Sequence, residues 1–266
     1  MTEAAKYPER IVCLTEETTE TLYLLEEDWR IVGISGFTVR PPRARKEKPK
    51  VSAFTSAKIN KIIDLKPDLV LAFSDLQADI VADLVKQGLN VHVFNHRSVA
   101  EILQMIRVLG GMIGVQGKAE ELASNLEAGL EEIRSAAASL KKRPRVYFEE
   151  WDEPMISGIR WVSELVEIAG GQDIFPENAR MPLAKDRIHA DGSAVIERQP
   201  DIIFGSWCGK KFRPEKVVAR QGFGAIPAVQ HNDLYEIKSA IILQPGPAAL
   251  MEGVQEIHKH IKAWAE

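Results

Sequence analysis

The chain has 266 residues, enough for two domains of ordinary size or one large one with ample core. Apolar residues make up 45% and charged residues 27%, the mix of a soluble globular protein, and a net charge of −4 supplies no field for nucleic acid. No run of eighteen apolar residues occurs, which excludes a spanning helix, and "MTEAAKYPER" carries no apolar export core. As written the chain therefore reads as cytoplasmic, or as periplasmic or otherwise extracytoplasmic if a signal segment was removed.

In chain order, "RIVCL" (10–14) is an apolar run suited to a buried parallel strand. "TEETTETLYLLEE" then offers a Thr cap, acidic first-turn residues and the apolar positions Leu22, Tyr23 and Leu25, the chemistry of a helix start. "RIVGIS" (30–35) is a second strand. The run "RPPRARKEKPK" (40–50) is basic but broken by proline and reads as a solvated loop. "TSAKINKIIDLKPD" places Ile59, Ile62 and Ile63 at helical spacing and stops at Pro67. The strand "LVLAF", the helix "ADIVADLVKQG" and the strand "NVHVF" follow. Strands alternating with helices in this way predict a parallel sheet wound by right-handed crossovers.

The second half repeats the plan with the strand "PRVYFE", the helix "VSELVEIAGG", the short helix "SAVIERQPD", the strands "IIFGS" and "DLYEI", and the closing helix "PAALMEGVQEIHKHIKAWA". "KPDLVLAFSDLQ" (66–77) and "RQPDIIFGSWCG" (198–209) are the same phrase: a helix stop, a buried strand and a polar loop. Ligands of open parallel sheets sit at the carboxyl ends of the strands, where both phrases end. Between the halves, Ala119, Leu122, Leu126, Leu130, Ile133, Ala137 and Leu140 recur at steps of three and four without a proline. That spacing predicts one helix over 118–142, roughly 37 Å long. It is either a rod between two lobes or a surface helix of a single domain.

No catalytic signature is present, and "GGMIG" (110–114) follows a helix, which removes it as a dinucleotide fingerprint. Cys13 and Cys208 occupy apolar, strand-like contexts and read as buried thiols. His258 and His260 point to different faces of the last helix, and His189 with Asp191 reads as an exposed loop. Aromatic placement says more. Trp151, Trp161 and Trp207 follow strands or start a helix in the second half, and Phe54 and Phe73 hold equivalent places in the first. Rings in post-strand loops present flat apolar surface to a ligand, and Arg40 and Arg160 add charge. The acidic run "EEWDE" (Glu149, Glu150, Asp152, Glu153) is the best acid/base candidate, although a solvated acidic loop explains it as well.

The sequence "RIVCLTEETTETLYLL…RIVGISGFTVRPP…KPKVSAF…INKIIDLKPDLVLAF" resembles the amino-terminal lobe of the class III periplasmic binding proteins, which serve cobalamin, ferric siderophore and haem importers. The likeness continues through "VAEILQMIRVLGGMIG", "LVEIAGGQDIF", "ERQPDIIFGS" and "IPAVQHNDLYEI", and favours the cobalamin-binding branch. It implies an α/β fold of two Rossmann-like lobes with parallel sheets (1–113 and 143–266), joined by one long bridging helix (114–142), with a ligand cleft between the lobes. It implies a non-enzymatic protein holding a corrinoid for ABC-type import or transfer, with no cofactor of its own, no membrane insertion and no second copy of the chain. The ligand-binding residues it suggests are Phe37, Arg40, Phe54 and Phe73 in the first lobe and Trp151, Arg160, Trp161, Trp207 and Ile241 in the second. Asp79 and Asp191 are the residues it suggests for docking on a permease. Arg40 stands where the cobalamin binders carry a tyrosine-like residue, and "KSAIILQPGP" (238–247) is apolar where they carry polar contacts. Two alternatives stay open: a haem or ferric-siderophore binder of the same fold, with Tyr147, Tyr235 or His189 as axial candidates for haem, and a cytosolic tetrapyrrole- or metal-processing enzyme.

Overall fold

The computed structural model describes residues 6–266. Two compact units divide it: unit 1 takes in the chain up to His96 together with Ala100–Asn125, and unit 2 comprises Arg97–Val99 and Leu126–Glu266.

In unit 1 the strands are β1 (Ile11–Cys13), β2 (Ile31–Ser35), β3 (Lys50–Ser52), β4 (Leu69–Phe73) and β5 (Val91–Phe94). They form one sheet in the order β3-β2-β1-β4-β5, parallel throughout. Helices α1 (Glu16–Leu24), α2 (Ala44–Glu47), α3 (Ile59–Asp64) and α4 (Ala78–Lys86) connect the strands, and α5 (Val99–Met112) follows β5. Val12, Leu14, Val51, Ile62, Val70, Ala72, Ile80 and Leu84 make one apolar cluster of this unit. Both faces of a parallel sheet are covered, so its strands are apolar at successive positions instead of alternate ones. The chain order reverses between β1 and β4, and that switch fixes where a ligand site belongs.

Helix α6 (Gln116–Ala138) runs unbroken for 23 residues, about 34 Å. Ala119, Ala123, Leu126 and Leu130 form its buried stripe. The division between the units falls inside it, at Asn125/Leu126.

Unit 2 contains β6 (Arg145–Asp152), β7 (Met155–Ser157), β8 (Gln172–Asp173), β9 (Ile188–His189), β10 (Ile202–Gly205) and β11 (Leu234–Glu236). The sheet order is β11-β10-β6-β7-β9, with β8 also paired to β6. Strands β6, β8, β10 and β11 run parallel, and β7 is reversed, pairing antiparallel with β6 on one side and β9 on the other. The helices are α7 (Arg160–Ile168), α8 (Pro176–Ala179), α9 (Ser193–Arg198), α10 (Pro214–Val218), α11 (Pro227–Gln230), α12 (Ser239–Ile242) and α13 (Val254–Ala265).

The duplicated phrase does the same work in both units. Lys66 and Gln199 end their helices at positive φ (47° and 45°), the left-handed stop that a following proline tolerates better than helix. Asp68 and Asp201 come next, and each ties down the start of the neighbouring strand. Asp68 accepts from the backbone N–H groups of Glu9 and Arg10, and Asp201 from that of Arg145. The Arg10 side chain reaches back to the carbonyls of Leu65 and Lys66, and the Arg145 side chain to that of Arg198. A buried strand then starts from each latch.

Four expectations need correction. The basic run 40–50 is not simply a loop, because Ala44–Glu47 is helical and Lys50 opens β3. The acidic run "EEWDE" is not a solvated loop: β6 continues through Asp152, and Glu149 and Asp152 are buried. His189 lies in β9 and is buried, so it is no exposed loop residue. Cys13 is buried as expected, but Cys208 is exposed in the turn after β10.

Candidate ligand-binding edges of the two units

In unit 1, Phe37 and Arg40 follow β2, Phe54 follows β3, and Phe73 closes β4, all on the carboxyl side of their strands. Phe37 is 58% exposed, and Phe54 is half-buried. Phe73 is buried, its ring meeting His96 edge-on with centroids 5.1 Å apart. Gln77 braces this edge, donating to the carbonyl of Phe54 and accepting from the backbone N–H of Phe73.

At the switch point stands a group that sequence reasoning read only as helix-start chemistry. Glu16, Glu17 and Glu20 open α1 directly after β1, and all three are buried. Glu17 accepts from the Thr15 hydroxyl, and Arg40 Nε lies 2.7 Å from Glu20 Oε1. Burial, reinforced by Glu17 and Glu20 and opposed by Arg45, pushes the Glu16 carboxyl up to about 8. Burial also raises Glu17, to about 7, against the Thr15 hydrogen bond. The signal was available in "LTEETTE": three acids within five residues, straight after an apolar strand.

In unit 2 the ends of β6 and β10 place Trp151 and Trp207 on either side of Lys210. The Lys210 ammonium lies 3.9 Å from the centre of a Trp151 ring and 5.4 Å from one of Trp207. Asp152 pairs with Lys210, which holds its carboxyl below the usual range despite the burial that works to raise it. Glu149, fully buried, accepts from the Trp207 indole and from both terminal nitrogens of Arg220 (2.6 and 3.0 Å). Trp207 is 2% exposed and belongs to the core cluster with Tyr147, Phe175 and Phe212, so its ring is a core ring. Trp161 is buried as well and donates its indole N–H to the carbonyl of Ile242, beside Ile241 on α12. Arg160 starts α7 on the surface, paired with Glu164. Trp151 is half-buried, capped by Lys210 and packed on the core cluster. Lys210 and Arg220 are the residues the sequence reading missed. Their spacing from Trp207 makes sense only once the loop after β10 folds back on β6.

The axial candidates are packed into the core or against other rings; His189, level with Asp152 through Met155, is buried against Phe175. Tyr147 is fully buried against Phe175 and His189. Tyr235 bonds Asp233 and stacks on His260. Glu150 pairs with Arg187, so three of the four carboxylates of "EEWDE" are already committed to cations. Asp79, in the first turn of α4, and Asp191, before α9, are both exposed. Hydrogen bonds from the Ser193 side chain and backbone hold Asp191 below the ordinary carboxylate range. Among the described residues no helix is long and apolar enough to cross a membrane, and no cluster of His, Cys, Asp and Glu has the makings of a metal site.

Two sheets with mostly parallel strands, each with its switch point at the ends of central strands, define a class of α/β binding proteins. The chain belongs to the periplasmic binding protein family, whose model matches residues 11–241. It is 28% identical to an uncharacterised ABC transporter substrate-binding lipoprotein of Bacillus subtilis, over 96% of this chain and 81% of that protein. It is 24% identical to the vitamin B12-binding protein of Vibrio parahaemolyticus, over 99% and 93%. Among solved structures, the vitamin B12-binding protein of Vibrio cholerae matches with a TM-score of 0.78 and 23% identity, over 98% of this chain and 99% of that one. An apo periplasmic haem-binding protein of Roseiflexus matches with a TM-score of 0.83 and 20% identity, over 97% and 99%. The fold is that of the class III periplasmic binding proteins.

Proposed function

We propose that the chain binds a corrinoid at the carboxyl edges of its sheets and delivers it to an ABC permease, working outside the cytoplasm without catalysing a reaction. The observation that carries this reading is the make-up of the edges. They offer a half-buried aromatic capped by a cation (Trp151 with Lys210), an exposed ring (Phe37) and buried carboxyls (Glu16, Glu17), while the axial candidates Tyr147, Tyr235 and His189 are packed against other rings. That suits a large, neutral, amide-rich macrocycle better than haem, which needs an axial ligand and carries anionic propionates. The vitamin B12-binding proteins among the relatives support the same choice. The haem-binding neighbours support the alternative, but on fold alone.

Apolar burial of the ring system contributes roughly 25 cal/mol per Å² before association costs. Calorimetric titration with cyanocobalamin is expected to give one site of micromolar affinity or better, and haemin is expected to give no shift of its Soret band. Trp151→Ala weakens corrinoid binding by about tenfold through the lost aromatic contact. A haemin complex with a shifted Soret band and no heat from cyanocobalamin would reject the corrinoid. Asp79 and Asp191 are the proposed docking contacts, as exposed carboxylates on different units.

A further inference from the structure

Two lysines converge on one carboxylate at the end of β6. Lys210 pairs with Asp152 Oδ1 and covers Trp151, its ammonium 3.9 Å from the ring centre. Lys216 Nζ stands 3.6 Å from Asp152 Oδ2 and 5.9 Å from the centre of a Trp207 ring. That separation makes an ion pair but is too long for a hydrogen bond. Asp152 is 3% exposed, and its Oδ2 is a buried acceptor with no hydrogen-bond partner among the described residues. An approach of about 0.7 Å by the Lys216 ammonium completes that bond.

The other charges at this edge are committed. Arg220 holds Glu149 through two bonds, Arg213 pairs with Glu215, and Lys238 pairs with Glu236. Lys211 acts on Glu215 and Glu236. The backbone under Lys210 is fixed, because its N–H donates to the Trp207 carbonyl at 3.1 Å across a turn with Gly209 at φ 75°. Its side chain is 37% exposed, so the ammonium can swing away on its four-carbon stem while the turn stays in place.

We propose that Asp152 is handed from Lys210 to Lys216 when a ligand ring takes the face of Trp151. Lys210 is a displaceable cap, and Lys216 is the reserve cation that keeps Asp152 paired once the cap lifts. A buried carboxylate left bare is strongly destabilising, whereas one that trades cations is not. The cap sets a threshold as well: a ring displaces it only where stacking and burial exceed the lost cation–π contact. This inference rests on the corrinoid reading and adds to it the step that opens the unit 2 edge.

The test has two arms. In ligand-free protein, Lys210→Met and Lys216→Met are each expected to lower the thermal midpoint by about 1–3 °C, since the remaining lysine serves Asp152. Together they are expected to lower it by roughly 8–12 °C, an excess that disappears in an Asp152→Asn background. Additive losses would overturn the hand-over. In the second arm cyanocobalamin is titrated calorimetrically. Lys210→Met is expected to tighten binding about three- to tenfold by removing the competitor for Trp151, and Lys216→Met to weaken it by a similar factor. Weaker binding in Lys210→Met would make its ammonium a ligand contact and overturn the cap, and unchanged binding in Lys216→Met would overturn the reserve. No heat with the native chain would overturn the corrinoid reading, and the cycle in ligand-free protein would still decide the hand-over.

Discussion

Glu149 shows how much of unit 2 hangs on one side chain. Its carboxylate, at 0% exposure, takes two guanidinium nitrogens of Arg220 and the indole N–H of Trp207. Glu149→Ala strands a half-buried cation and a buried donor, and is expected to cost about 2–4 kcal/mol in chemical denaturation. A loss under 1 kcal/mol would mean the network relaxes freely. His189 yields a pH prediction. Burial among Phe175 and Tyr147, with Arg198 adding its charge, lowers its folded value below 6.5, so the unfolded chain takes the proton more readily. The contribution of neutral His189 is therefore complete above 6.5 and lost as the pH falls through that value towards the folded one. Thermal midpoints between pH 7.5 and 5.5 should drop more steeply in the native chain than in His189→Leu; equal slopes would contradict this. Neither role was legible in the sequence. Trp207 follows a strand the sequence shows, but that its ring turns into the core depends on how the loop after β10 packs, and His189 reads as a loop residue because β9 is only two residues long.

At the scale of elements the sequence was far more informative. The three-and-four spacing of Ala119, Leu126 and Leu130 specified α6, and Pro67 and Pro200 marked the stops that Lys66 and Gln199 complete at positive φ. The short strands β7, β8 and β9 escaped notice, since two or three residues are too few to show a period. Helix α6 offers a clean check of its own. Gly129 sits in its interior, and a Cβ built there meets nothing within 4 Å. Gly129→Ala is expected to stabilise by about 0.5–1 kcal/mol, raising the thermal midpoint by roughly 2–4 °C. A fall would show that the glycine serves a packing role.

For the molecule as a whole, the two sheets follow one rule with different chemistry. Unit 1 ends its switch point in acids (Glu16, Glu17, Glu20) and unit 2 in a cation between tryptophans (Lys210 with Trp151 and Trp207). The family was suggested by the resemblance of segments such as "RIVCLTEETTETLYLL" and "ERQPDIIFGS", and the α/β plan was readable from strand–helix alternation and the repeated Pro-Asp phrase. The charged residues that distinguish one ligand from another were not, because their meaning depends on burial. The most direct measurement is a competition: the protein mixed with equimolar cyanocobalamin, haemin and a ferric siderophore, then weighed by native mass spectrometry. A dominant one-to-one corrinoid adduct is the predicted result; a dominant haem or siderophore adduct would contradict the account.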